Sequence, residues 1–190
     1  EMLNRDWSSD VCSSDLQALA DMLTVKEHFG SCEGRKICFV GDGNNVCNSL
    51  LLIAPLLGMD ISVACPKGYE TSEEILNTAR EYAAENNTEI IVSDDIEVAL
   101  ENVDVVYTDV WVSMGDEAEA AQRKIDFAPF QVNTDLMSLA NDDAIFMHCL
   151  PAIRGQEVTS DVIDSDCSVI YDEAENRMHA QKAVLYYYLK

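Results

Sequence analysis

Short apolar runs alternate with helical segments along nearly the whole chain, and this alternation narrows the possible folds more than any other property. Lys36-Ile37-Cys38-Phe39-Val40, Ile61 to Ala64, Glu89 to Val92, Val103 to Thr108, Phe146 to His148 and Val169 to Tyr171 read as strands. Asn48 to Leu57, Ser72 to Asn86, Ile96 to Glu101 and Glu117 to Asp126 read as the helices between them, with Ser72 placed to cap its helix. Leu19, Met22, Leu23 and Phe29 fall near helical spacing from Gln17 up to a stop at Gly30, and Glu175 to Leu189 closes the chain as another helix. Strands and helices in alternation predict an α/β fold: a Rossmann-like three-layer αβα arrangement around a mostly parallel central sheet.

The 190 residues suit one domain with a substantial core, and 48% hydrophobic content excludes a disordered chain. The formal net charge is −23, from 35 acidic against 12 basic residues. A surface this negative repels phosphate backbones and anionic lipids, so neither nucleic acid nor membrane is an expected partner. It reads as a solubilising surface, with a high-salt habitat as the alternative. Seven cysteines, none in a C-x-x-C pair, read as small buried hydrophobes of a reducing cytosol. No apolar run reaches spanning length and no signal peptide is visible, so a cytoplasmic protein is expected.

The first sixteen residues differ in character from the rest of the chain. Ser8-Ser9-Asp10-Val11-Cys12-Ser13-Ser14-Asp15 is an imperfect internal duplication, polar and without helical or strand period. Residues 1–16 are therefore expected to be a disordered or non-native segment, and residues 17–190 the folded domain.

Ligands of open α/β sheets sit beyond the carboxyl ends of the strands, which directs attention to four loops. Gly41-Asp42-Gly43-Asn44-Asn45 invites a dinucleotide-binding assignment, but Val46 occupies the third glycine position and Ala64-Cys65-Pro66 supplies no acid after the second strand. The two asparagines either hold a carboxylate at the helix mouth or cap the turn. In Asp109-Val110-Trp111-Val112-Ser113-Met114-Gly115, a carboxylate and a hydroxyl four positions apart suit an ammonium group. The alternative is a surface loop over a packed Trp111. His148-Cys149-Leu150-Pro151 puts an imidazole and a thiol at a strand end, as packed core or as reactive centre, with Pro151 turning the chain. In Glu173-Ala174-Glu175-Asn176-Arg177 the acids suit a helix start, and Arg177 either pairs with them or aims at an anion. With three histidines and no ligand cluster at metal spacing, no metal site is expected.

Taken in order, these four loops resemble those of the ornithine carbamoyltransferases, from about Gln17 to the C-terminus. The resemblance implies transfer of a carbamoyl group from carbamoyl phosphate to ornithine, without a cofactor. It implies that Asn45 and the Met114 backbone hold the ornithine α-carboxylate, and that Asp109 and Ser113 take the α-ammonium. Cys149 and the Leu150 carbonyl would face the δ-amine and the carbamoyl group, and Arg177 would polarise the carbamoyl oxygen. Gln17 would contact carbamoyl phosphate, whereas Ser14 stands where the family has a histidine. The family's Ser-x-Arg-Thr-Arg phosphate loop has no counterpart, so the chain reads as the ornithine-binding domain, inactive alone, of an enzyme that is a homotrimer when complete. A non-catalytic amino-acid-binding module is the alternative.

Overall fold

The computed structural model describes residues 9–112 and 117–190. Five parallel strands form its sheet: β1 (Lys36–Val40), β2 (Asp60–Ala64), β3 (Ile90–Ser93), β4 (Val105–Thr108) and β5 (Ile145–His148). Their spatial order is β3-β2-β1-β4-β5. The chain thus runs outward from β1 to β3, returns across the sheet, and lays β4 against the other side of β1, with Ile37 opposite Val105 and Val40 opposite Thr108. The order reverses between β1 and β4, and loops leaving these strands diverge there to open a crevice.

Alternate residues of each strand feed two apolar layers. Ile37, Phe39, Ile61, Val63, Val105, Tyr107, Ile145 and Met147 face one layer. That layer is closed by α1 (Ser9–Phe29), α2 (Asn45–Leu56) and α3 (Glu73–Asn86), through residues such as Met22, Val25, Leu50, Leu51 and Leu76. Cys38, Val40, Ala64, Val106 and Phe146 face the other, under α4 (Ile96–Leu100), α6 (Thr134–Met137) and α7 (Ser160–Ile163). The remaining helices are α5 (Ala120–Asp126) and α8 (Ile170–Tyr188), the latter lying along α1.

Three expectations are corrected. Val169 to Tyr171 is not a strand: Phe146 exchanges backbone bonds with Cys167 and Val169, giving one isolated bridge to Ser168, and the chain then enters α8 at Ile170. The apolar character of this stretch reflects burial of Val169 and Ile170 at the sheet edge. Second, α2 begins at Asn45, three residues early, because the Asn44 side chain accepts from the backbone N–H groups of Val46 and Cys47. Third, Ser72 occupies the N-cap of α3 but makes no side-chain capping bond.

Residues 9–16, which show no helical period, extend α1. Tertiary partners supply what local pattern lacks: Arg177 Nη2 donates to Ser13 Oγ at 2.6 Å, and Ser49 Oγ donates to Asp15 Oδ1 at 2.8 Å. Cys32, Cys38, Cys47, Cys65, Cys149 and Cys167 are free, and burial pushes the Cys38 thiol up to about 11 and Cys65 up to about 12. Among the described residues, no helix is long and apolar enough to cross a membrane.

Candidate active site

A cleft of about 710 Å³ opens at the carboxyl ends of β1, β4 and β5, at the strand-order reversal. Gln17, Asn45, Asp109, Cys149, Leu150 and Arg177 all line it. They come from α1, the N-terminus of α2, the loops after β4 and β5, and α8. Ser113 and Met114 lie outside the described residues. Ser14, at the position where a histidine was anticipated by resemblance, also lines the wall.

The turn after β1 is built for close approach. A Cβ on Gly43 would sit 2.4 Å from the backbone nitrogen of Thr71, because the segment 69–71 crosses over this residue and Tyr69 O accepts from Gly43 N. Gly43 is thus needed for packing against that segment, which removes the glycine signal behind the dinucleotide reading. One member of the asparagine pair is a cap. Asn44 caps α2 through its Oδ1, and its Nδ2 donates to Asp109 Oδ2 at 2.8 Å. Asn45 is exposed at the helix mouth.

Asp109 is oriented from two sides, by Asn44 and by the backbone N–H of Val110. Its neighbour Trp111 is buried and stacks on Phe127, with ring centroids 6.1 Å apart. Arg123 of α5 grips this region, donating to Asp42 Oδ2 at 2.6 Å and to the Trp111 carbonyl at 3.1 Å. The base of the Asp109 loop is thereby tied to the turn after β1.

The imidazole and thiol part company. His148 is 1% exposed, and neither ring nitrogen is free. Nδ1 accepts from the Leu150 backbone N–H at 2.9 Å, which leaves Nε2 to carry the ring proton toward Glu157 Oε1 at 3.2 Å. The ring therefore fastens a loop in which Leu150 takes φ 57 and the Leu150–Pro151 peptide is cis. A non-glycine residue at positive φ is strained and needs such support. Cys149 lines the cleft instead. Burial first, then the charge of Asp109, push its thiol well above the usual range, so it is a neutral group and a poor nucleophile.

Ligand atoms of Asp109, His148 and Cys149 lie within 4.8 Å of one another, a spacing a metal ion could use. His148 does not fit one here: both of its ring nitrogens are engaged within the protein.

Arg177 brings a guanidinium to the cleft, held by Gln17 Oε1 at 3.1 Å and by Ser13 Oγ. Behind it lies a buried group absent from the sequence reading. Gln17 Nε2 donates both to Asp21 Oδ1 at 2.8 Å and to Glu173 Oε1 at 3.0 Å. Glu173 also accepts from Tyr107 Oη and from the His148 backbone N–H. The four-residue spacing of Gln17 and Asp21 was the available signal, since it puts both on one helix face.

A family model described as the aspartate/ornithine carbamoyltransferase, Asp/Orn-binding domain, matches residues 33–188. The ornithine carbamoyltransferase of Methanobrevibacter smithii is 73% identical over 174 residues, covering 92% of this chain and 58% of that protein. That of Methanosphaera stadtmanae is 56% identical over the same shares. Among solved structures, ornithine carbamoyltransferase from Pyrococcus furiosus superposes with a TM-score of 0.86 at 54% identity, over 90% of this chain and 54% of that one. The chain therefore spans little more than half the length of these relatives. It belongs to the aspartate/ornithine carbamoyltransferase family and comprises that family's Asp/Orn-binding domain.

Proposed function

We propose that the chain is the ornithine-binding half of an ornithine carbamoyltransferase, which converts carbamoyl phosphate and L-ornithine to L-citrulline and phosphate in the cytoplasm. The supporting observation is the convergence of Asn45, Asp109, Cys149, Leu150 and Arg177 on one cleft at the strand-order reversal. In this reading Asn45 and the Met114 backbone take the ornithine α-carboxylate, while Asp109 and Ser113 take the α-ammonium. Cys149 and the Leu150 carbonyl then face the δ-amine.

The δ-nitrogen lone pair attacks the carbamoyl carbon. A C–N bond forms, the C–O bond to phosphate breaks, and phosphate leaves with the electron pair while the amine gives up a proton. Such a reaction gains most from alignment and from fixed donors at the oxygen that becomes negative. Arg177, fixed by Gln17 and Ser13, suits that oxygen. A protonated thiol suits positioning without itself becoming acylated. Gln17 contacts carbamoyl phosphate in this scheme, and no cofactor takes part. The phosphate-binding half and the homotrimer belong to the complete enzyme.

Calorimetric titration tests the reading. The chain should bind ornithine, and Asp109→Asn should weaken binding by roughly tenfold or more, about 1.4 kcal/mol. Given both substrates, the chain alone should form negligible citrulline. No heat with millimolar ornithine, or turnover approaching that of a complete enzyme, would overturn the proposal.

A further inference from the structure

Asp21 and Glu173 are 0% and 1% exposed, and Asp21 Oδ2 is buried without a hydrogen-bond partner. Among the described residues no ion pair includes either carboxylate. The cation of the neighbourhood, Arg177, is turned to Gln17 Oε1 and Ser13 Oγ. One amide bridges the two acids: Gln17 Nε2 donates to both. The orientation of that amide is fixed, because its oxygen faces a guanidinium and its nitrogen faces two carboxyl groups.

We propose that Asp21 and Glu173 are positioning residues of the cleft: they form a carboxyl–carboxylate pair that keeps a proton at neutral pH and, through Gln17, sets the placement of Arg177. The link to catalysis rests on the proposed function; the pair itself does not.

Two buried negative charges sharing one donor, with no cation in contact, would cost far more than a single charge. A retained proton removes that cost and leaves the remaining charge to be met by the donors present. Those donors come from each element packed around the pair: Gln17 of α1, Tyr107 of β4, and the His148 backbone at the end of β5. The charges and titratable groups facing it are Arg177, Cys149 and Tyr107, with Asp109 acting on the last two. Burial, with the mutual effect of the two acids, pushes both upward, Asp21 to about 7. A change in the charge of the pair would pull on the Gln17 amide and so on the Arg177 guanidinium.

Two measurements on the chain test this. Infrared spectroscopy should show a protonated-carboxyl C=O stretch at neutral pH, and Asp21→Asn should weaken or shift it, since one of the two carboxyl groups is then gone. NMR titration should show the Gln17 side-chain amide and the Arg177 Nε–H moving together between about pH 5 and 8. Asp21→Asn should flatten both curves, which a merely structural side chain would not do. Absence of the infrared band in the unaltered chain overturns the proposal, as does a band or titration unchanged by Asp21→Asn. If that variant fails to fold, the unaltered chain still decides through the infrared band and the shared titration. Ornithine binding measured alongside reports on the proposed function separately: its loss would count against that function while the infrared band still reports on the pair.

Discussion

The His148 side chain acts through two bonds of its ring. Nδ1 takes the Leu150 N–H, Nε2 meets Glu157, and Glu157 Oε1 also accepts from the Ile153 N–H. Both side chains are completely buried. Glu157→Ala should therefore leave the buried imidazole N–H and the partly buried Ile153 N–H without an acceptor and lower stability by about 2–4 kcal/mol, measurable by urea denaturation. A loss below about 0.5 kcal/mol would mean that water enters and replaces the carboxylate. The His-Cys pair could be found in the sequence, but not which of its members faces the cleft. That depends on Glu157, nine residues away, and on the strained backbone of Leu150. The same holds for Asp21 and Glu173, separated along the chain and joined only when α1 lies on α8.

Among elements, the strands were legible where apolar runs ended in turns, since burial on both faces demands a continuous apolar stretch. The same signal misled at Val169 to Tyr171, where the burial belongs to the start of a helix passing a sheet edge. The short helices α6 and α7 are four residues each, too brief for a period to show. Helix starts illustrate the limit of residue type as a guide: Asn44 and Ser72 both stand at N-caps, but only Asn44 has its side chain bonded to the helix. Asn44→Ala should cost about 1 kcal/mol from the cap alone. It should also weaken ornithine binding, by releasing Asp109 Oδ2. Ser72→Ala should change stability by less than about 0.5 kcal/mol. Thermal melts of the two variants compare them directly, and equal losses would refute the distinction.

For the whole molecule, two sources of instability have different pH and salt signatures. The charge of −23 repels itself over the surface, where salt screens it. Added salt should therefore raise the melting temperature by an amount that changes little across neutral pH, because exposed carboxylates are already ionised there. The Asp21–Glu173 pair is buried and only weakly screened. Its folded-state pKa values lie above the ordinary ones, Asp21 at about 7 against 3.8. The folded protein thus binds more protons than the unfolded chain between these values. Stability contributed by the pair is complete below about pH 4 and is lost as pH rises through about 7, with a slope of up to about 1.4 kcal/mol per pH unit per proton. Urea denaturation at pH 5, 6, 7 and 8, in low and high salt, separates the two. Salt should lift the whole curve, while its decline toward pH 7 persists in high salt and is reduced in Asp21→Asn. A decline abolished by salt would assign the effect to the surface, and a decline unaffected by Asp21→Asn would assign it to other groups.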